Sequence, residues 1–286
     1  MPNNIELFKS YISLLDEVYK HASLTSDLDG NNELAQETAN AGEFLIPKMD
    51  MDGLADYDRK TGYVDGSVTL SFETKKANYD RARKFSVNAM DNQETAGIAF
   101  GALSAEFIRK KAVPELDAFR FATYAGKAGK SLSAGLVDGA AWMKAVSDAT
   151  TLMDNKEVSD NRILFINPAG LQMINDMDTT KSRATLGRFS AIRRVPQGRF
   201  ASAIKMLSGK GAEIKGGYEK DSTGKDLNFM IVDRAALIQY TKNLVTKVID
   251  PATNQKDDAW LFFYHMYGIA EIFDNKTDGI YVHTVA

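Results

Sequence analysis

The chain has 286 residues, of which 44% are hydrophobic and 26% charged, and its formal net charge is -3. This composition indicates a globular protein of one large domain or two smaller ones, and it excludes a disordered or fibrous chain. The small negative charge excludes a polycation that coats nucleic acid, and the absence of cysteine excludes disulfides, thiolate metal sites and a cysteine nucleophile.

The first 42 residues predict an amphipathic helix followed by a polar arm. Between residues 5 and 22, apolar side chains recur at three- and four-residue spacing, whereas residues 23–42 include few large apolar side chains. Acidic residues interrupt the apolar pattern, which excludes a secretory signal peptide. No apolar stretch approaches the roughly 20 residues that a membrane span needs, so we expect no membrane association.

Residues 43–89 predict a long hairpin. Turns rich in Asp, Gly and Asn separate short alternating segments, and in one of these Val68, Leu70 and Phe72 share a face. The apolar content is too low for the hairpin to bury itself within its own domain. We therefore predict that it projects and packs its apolar face on a neighbouring subunit.

A long helix and a mixed region follow the hairpin. Asp91 with Glu94 resembles a capping box, and the apolar spacing that follows predicts a helix from there to about Ala112. Pro114 suits the first turn of a continuing or kinked helix, and together the two parts form a spine of roughly 30 residues. The segment GKAGKSLSAG ends this spine. The remaining predictions, in chain order, are a helix at 137–153, a strand at 162–166, a short helix capped by Asn167 and Pro168, a strand at 229–233, a helix at 234–242, and closing strands at 259–273 and 279–285.

Motifs for catalysis or cofactor binding are incomplete. GKAGKS (126–131) is similar to a phosphate loop, but Tyr124 stands where the first glycine is required, so we interpret the segment as a flexible hinge. Two acidic stretches, 27–37 and 50–58, lack residues that a calcium loop requires. The three histidines have no metal-ligand spacing. We therefore predict no enzyme activity, cofactor or metal, and keep an enzyme only as a third hypothesis because missing motifs are a weak argument.

The charges are unevenly distributed along the chain. Nine acidic residues and one basic residue lie between 27 and 58, and eight basic residues and no acidic residue lie between 181 and 210. One interpretation is two solvated faces. The other is electrostatic pairing between copies, in which the arm and hairpin of one subunit meet the basic surface of another. On the second interpretation, the candidate intersubunit contacts are Val68, Leu70, Phe72, Arg188, Arg193, Arg194 and Arg199.

Five segments resemble the major capsid proteins of tailed bacteriophages. They are EFLIPKMDMDGLADYDRKTGYVDGSVTLSFET (43–74), YDRARKFSVNAMDNQET (79–95), AVPELDAFRFAT (112–123), NFMIVDRAALIQYTK (228–242) and DDAWLFFYHMYGIAEIFDNKTDGIYVHT (257–284). The segments occur in order over most of the chain, which makes the combined resemblance more specific than any one of them.

The resemblance implies the α+β fold that tailed-phage capsids share with encapsulins and the herpesvirus capsid floor. It assigns residues 1–42 to an N-terminal arm, 43–85 to an extended hairpin called the E-loop, 86–132 to a peripheral domain with a spine helix, 133–245 to a mixed α/β axial domain, and 246–286 to return strands.

The implied function is that of a structural major capsid protein. Such a protein self-assembles into the pentamers and hexamers of an icosahedral phage head and encloses double-stranded DNA without sequence-specific binding. The implied partners are further copies of the chain, a scaffolding protein and a portal, and the implied locations are the virion and, during assembly, the host cytoplasm. The alternative is an encapsulin-like shell that encloses a cargo enzyme. Because the sequence starts close to the arm, we expect a separate scaffold or a segment already removed.

Overall fold

The computed structural model describes residues 23–29, 36–37, 43–60, 62–90, 105–243 and 247–286. The predicted N-terminal helix and the first part of the predicted spine helix, residues 91–104, lie outside the described residues.

The first sheet is the predicted hairpin. Its strands, in spatial order, are β1 (Gln36–Glu37), β2 (Glu43–Met51) and β3 (Val68–Lys76). Both pairings are antiparallel, and residues 52–67 connect the two long strands at the end farthest from the core. The predicted hairpin is therefore confirmed up to Lys76, whereas residues 79–88, which the prediction included, form a strand of a different sheet.

A second sheet joins the strand after the hairpin to late parts of the chain. It contains β4 (Tyr79–Asn88), β11 (Leu237–Asn243), β12 (Lys247–Ile249) and β13 (Ala259–Ile272). The long strand β13 pairs antiparallel with each of the other three. The predicted E-loop boundary at residue 85 falls inside β4.

The helix predicted at 234–242 is wrong. A single 3-10 turn at Arg234–Ala236 leads directly into β11, which pairs along its length with β13. Ile238 and Gln239 point to opposite sides of the strand, and both are buried. A helix would present only one side to the core, so burial on both sides together with the β-branched and aromatic residues of this segment favours a strand.

The third sheet has five strands in the described residues. Their spatial order is β5 (Lys130–Ser133), β14 (Ile280–Thr284), β10 (Leu227–Asp233), β6 (Arg162–Ile166) and β7 (Ala191–Arg194). The two outer pairings are parallel and the two inner ones antiparallel. A small pair, β8 (Ile204–Met206) and β9 (Tyr218–Lys220), lies beside it. The strands predicted at 162–166, 229–233 and 279–285 are confirmed.

Most of the described α-helices begin with a side-chain cap. A π-helical turn at Ile108–Ala112 runs into α1 (Val113–Lys127), and the other helices are α2 (Gly139–Asp154), α3 (Pro168–Asp176) and α4 (Thr180–Leu186). Asn167 Oδ1 accepts a hydrogen bond from Ala169 N at 2.8 Å, so the predicted cap of the short helix is confirmed. The phosphate-loop-like segment is not a hinge, because it ends α1 and then forms the edge strand β5.

Helix α1 connects the two larger sheets. Its first part, including Val113 and Leu116, packs with Phe262 of the second sheet. Its second part, including Phe121 and Tyr124, packs with one face of the five-stranded sheet, whose other face is covered by α2 and α3. Residues along β6 alternate between these two faces, as expected for a strand buried on both sides.

Candidate assembly interface

The hairpin has one apolar face that no described part of this chain covers. The register pairs Met49 with Leu70 and Met51 with Val68, so these side chains lie directly across the two strands on one face, with Phe72 beside them. Their exposed fractions are 57% for Met49, 62% for Met51, 67% for Val68, 53% for Leu70 and 56% for Phe72. The opposite face carries Thr69 and Asp50. We call the five apolar residues the hairpin face.

The hairpin contacts its own chain only near its base in the described residues. Phe44 is buried there with Ile238 and Ile269, and its ring centroid lies 5.4 Å from that of Tyr240. Lys75 Nζ lies 3.3 Å from Asp274 Oδ2. The base therefore fixes the direction of the hairpin, while the hairpin face stays exposed.

The connection at the far end of the hairpin also exposes large apolar side chains. The rings of Tyr57 and Tyr63 lie 5.0 Å apart, and both are mostly exposed, as is Leu54. Asp52 Oδ2 accepts a hydrogen bond from Ser67 N at 2.7 Å, which closes the turn. The tip therefore exposes a second group of large apolar side chains.

Half of the predicted basic run has acidic partners within this chain. Ion pairs join Arg183 to Asp178, Arg193 to Asp27, Arg199 to Asp117, and Lys205 to Glu213. Arg193 and Arg199 therefore have acidic partners within one chain and do not require the acidic surface of a second copy to balance their charge. Arg188 and Arg194 are exposed and form no ion pair with a described residue, so for them the predicted intersubunit contact stays a prediction.

A short segment after the predicted N-terminal helix is fastened to the core. We call residues 23–29 the strap. The fully buried Asp117 on α1 accepts hydrogen bonds from Ser23 Oγ at 2.9 Å, Leu24 N at 3.1 Å and Thr25 Oγ1 at 2.7 Å. Leu28 inserts into the core beside Phe121.

Arginines hold the other side of the strap. Arg120 Nη1 donates to Thr25 Oγ1 at 2.7 Å, and Arg120 Nη2 lies 3.0 Å from Asp29 Oδ1. Arg193 Nε donates to Asp27 Oδ2 at 2.7 Å. The acidic arm and the basic run thus do meet, as the charge distribution suggested, but at these positions they meet within one chain. The roles of Asp117 and Arg120 were not predicted from the sequence. Both lie on α1 next to the buried apolar residues Leu116 and Phe121, and this spacing could have indicated polar side chains that face the core.

The loop between β8 and β9 is held by a local charge network. Lys205 Nζ lies 2.8 Å from Glu213 Oε1, and Ser208 N donates to Glu213 Oε2 at 2.8 Å. These bonds, with Lys205 contributing most, lower the pKa of the Glu213 carboxyl to about 2. The loop therefore keeps its ion pair far into the acidic range.

The described residues include no side-chain cluster suited to a metal ion and no helix suited to crossing a membrane. No group of three or more His, Cys, Asp or Glu side chains within them is arranged to hold a metal ion. His265 lies on β13 with its Nε2 2.6 Å from Asp80 Oδ1, as part of a strand pair. In the same part of the chain, no helix is both long and apolar enough to cross a bilayer.

The projecting hairpin, the long helix behind it and the two sheets that this helix joins together define the fold of tailed-phage capsid proteins. No protein-family model matches the sequence, and neither does any curated protein. The likeness to solved structures nevertheless covers most of the chain.

Three solved structures illustrate this likeness. One from Mycobacterium phage Che8 has a TM-score of 0.56 at 12% identity and aligns 91% of this chain with 90% of that chain. The capsid of cyanophage P-SCSP1u has a TM-score of 0.53 at 10% identity, with 88% of this chain and 85% of that chain aligned. The virus-like particle from Pyrococcus furiosus has a TM-score of 0.51 at 11% identity, with 97% and 99% aligned. The predicted α+β capsid fold is therefore confirmed.

Proposed function

We propose that this chain is a structural subunit of an icosahedral phage head, where it forms pentamers and hexamers around double-stranded DNA. The observation that carries the proposal is the hairpin face, which places five large apolar side chains on the outside of the molecule. Exposed apolar patches of this kind mark interaction surfaces. The likeness of the chain to phage capsid structures supports a second copy of the chain as the partner.

Strand order supports the same partner. The spatial order β1, β2, β3 leaves β3 at an edge of its sheet within the described residues. An edge strand with apolar side chains invites unwanted pairing unless a defined partner covers it. Burying apolar surface contributes about 25 cal/mol for each Å² removed from water, so a subunit that docks this face gains stability from contacts it lacks alone.

The remaining parts of the proposal concern partners, location and domains. A scaffolding protein and a portal act during assembly in the host cytoplasm, and the mature protein resides in the virion. Its role is structural rather than catalytic, and it holds DNA without reading its sequence. We assign the arm, E-loop, peripheral domain, axial domain and return strands to 1–42, 43–85, 86–132, 133–245 and 246–286.

A shell that encloses a cargo enzyme is the second candidate. Both candidates require the same hairpin contact, so the contents of the particle distinguish them. The phage structures among the similar proteins favour a genome. Nucleic acid in particles purified from the natural source would support the phage head, whereas a folded enzyme in its place would support the alternative.

The experiment compares two single substitutions on opposite faces of β3. Leu70→Lys places a charge on the hairpin face, and Thr69→Lys places the same charge on the opposite face, directly across from Asp50, where it is favourable. We expect Leu70→Lys to stay as small species by light scattering while Thr69→Lys forms particles like the unaltered protein. Circular dichroism should show the same fold for all three proteins. Particles of normal size from Leu70→Lys would contradict the proposed contact.

A further inference from the structure

Two of the five residues of the hairpin face are methionines. Met49 and Met51 are two residues apart on β2, so both side chains point to the same side, opposite Leu70 and Val68. Both thioethers are accessible, with 57% and 62% of the residue surface exposed. A small oxidant in solution therefore reaches them in the free subunit.

The other described methionines provide a contrast. Met153, Met230 and Met266 are buried in the core, where an oxidant has little access. Met90 and Met173 are exposed at 67% and 40%, but they lie outside the hairpin face. The chain thus includes both protected and exposed thioethers against which oxidation of the hairpin face can be measured.

We propose that Met49 and Met51 form an oxidation site that switches subunit docking off. The inference rests on the proposed function, because it takes the hairpin face as the surface that docks on a second copy. The oxidant is a peroxide. The thioether sulfur attacks one peroxide oxygen, the O–O bond breaks, an S–O bond forms, and water leaves. The sulfur loses two electrons, and hydrogen peroxide gains them.

The product is incompatible with an apolar contact. Methionine sulfoxide has a strongly polar oxygen in place of a flexible apolar group. The side chains directly opposite, Leu70 and Val68, have no hydrogen-bond donor, and the backbone N–H groups of β2 and β3 lie in the plane of the sheet rather than on the hairpin face. Docking would therefore bury the new oxygen atoms among apolar side chains without partners, which is unfavourable.

The same contact protects the thioethers once it has formed. In an assembled particle the hairpin face is covered, so peroxide reaches it slowly. The modification therefore acts on unassembled subunits and spares finished particles. Because sulfoxide reductases convert the product back to methionine, the block is reversible.

The test treats unassembled full-length subunits with hydrogen peroxide, removes the oxidant and transfers them to assembly conditions. We expect the subunit concentration needed for half-maximal assembly to rise at least tenfold. Treatment with methionine sulfoxide reductases and a thiol reductant should restore the original concentration. Circular dichroism before and after treatment checks that the fold is retained.

Two double variants locate the effect. Met49→Leu with Met51→Leu keeps the apolar face and removes its thioethers, so its assembly should resist peroxide. Met90→Leu with Met173→Leu removes exposed thioethers elsewhere, so its assembly should stay as sensitive as that of the unaltered protein. Equal sensitivity of the two double variants would overturn the proposal.

A measurement on the unaltered protein makes the test independent of the variants. Partly oxidised subunits are assembled, and peptides from the particles and from the free subunits are compared by mass spectrometry. Sulfoxide at Met49 and Met51 should be depleted from particles at least tenfold relative to sulfoxide at Met173. If untreated subunits form no particles, the proposed shell function fails. If fully oxidised subunits assemble normally, only the oxidation switch fails.

Discussion

Asp117 shows how a single buried charge can organise a segment far away in sequence. Its carboxylate accepts hydrogen bonds from Ser23 and Thr25, and Arg199 Nη1 lies 3.3 Å from it. A buried charge is tolerated only where such partners replace water. These contacts therefore hold the strap against α1.

Replacing this carboxylate should be costly. Asp117→Ala removes the acceptor of three strap hydrogen bonds and leaves Arg199 without its partner, so we expect a loss of about 3–5 kcal/mol in the free energy of unfolding. Urea titration measures this loss. The control is Asp226→Ala, which breaks an exposed pair with Lys220 and should cost at most about 1 kcal/mol. Equal effects of the two substitutions would show that the strap contributes little.

His283 should make stability depend on pH. It is buried on β14, its Nδ1 lies 3.0 Å from Asn228 Nδ2, and burial lowers its pKa below the ordinary value. The folded state therefore binds the proton less readily than the unfolded state. Its contribution to stability is complete above pH about 6.5 and is lost as the pH falls below that value, by up to about 1.4 kcal/mol per pH unit.

Comparison with a variant isolates this histidine from the carboxylates. The free energy of unfolding of the unaltered protein and of His283→Gln is measured by urea titration from pH 7.5 to pH 5. The unaltered protein should lose more stability over this range than the variant. Parallel curves for the two proteins would show that His283 does not contribute to the acid dependence.

At the scale of elements, close packing of α2 on α3 depends on a glycine. A Cβ at Gly170 would lie 2.3 Å from the Trp142 ring, so α3 can approach α2 only because this side chain is missing. Gly170→Ala should lower the free energy of unfolding by about 1–3 kcal/mol through overpacking.

A second glycine provides the matched control. Gly126 lies in α1, and a Cβ there would meet nothing within 4 Å. Gly126→Ala should therefore raise the free energy of unfolding by roughly 0.5–1 kcal/mol, because alanine favours a helix. Thermal unfolding of both variants tests the pair, and a stabilised Gly170→Ala would contradict the packing argument.

Elements with a clear local pattern were predictable from the sequence. The apolar run at β6 and the Asn-Pro cap of α3 were placed correctly, because a buried strand and a helix start each leave a short-range signal. Strand β11 was not predictable in this way, because the local sequence around Leu237 and Ile238 is also compatible with a helix. Only the pairing with β13 identifies this segment as a strand. That pairing joins residues far apart in the sequence, so no local window reveals it.

At the scale of the whole molecule, the candidate site was predictable only in part. The alternation of Val68, Leu70 and Phe72 predicts that they share a face, and the structure places them together and exposed. The basic run at 181–210 did not predict a contact surface in the same way. Charge counted along the chain takes no account of acidic residues from other segments, and Asp27 and Asp117 neutralise Arg193 and Arg199 through contacts across the fold.

Arg188 and Arg194, which form no ion pair with a described residue, predict a salt-sensitive assembly. Arg188→Glu with Arg194→Glu should impair particle formation in the absence of DNA, because charge pairs at partly desolvated boundaries contribute about 1–3 kcal/mol. High salt should weaken assembly of the unaltered protein in the same way. Light scattering measures both effects. Normal DNA-free assembly by the variant, together with loss of DNA from filled particles, would assign these arginines to the genome.

The position of β14 has a consequence for how the protein is made. This strand lies between β5 and β10, inside the five-stranded sheet, yet it is translated after every other strand of that sheet. Until the ribosome has added Ile280–Thr284, β10 has an open edge and β5 has no partner among the other described strands. A nascent chain therefore cannot complete this sheet before its last strand is translated. On a crowded polysome, neighbouring unfinished chains expose open strand edges to one another, and molecular chaperones recognise such edges.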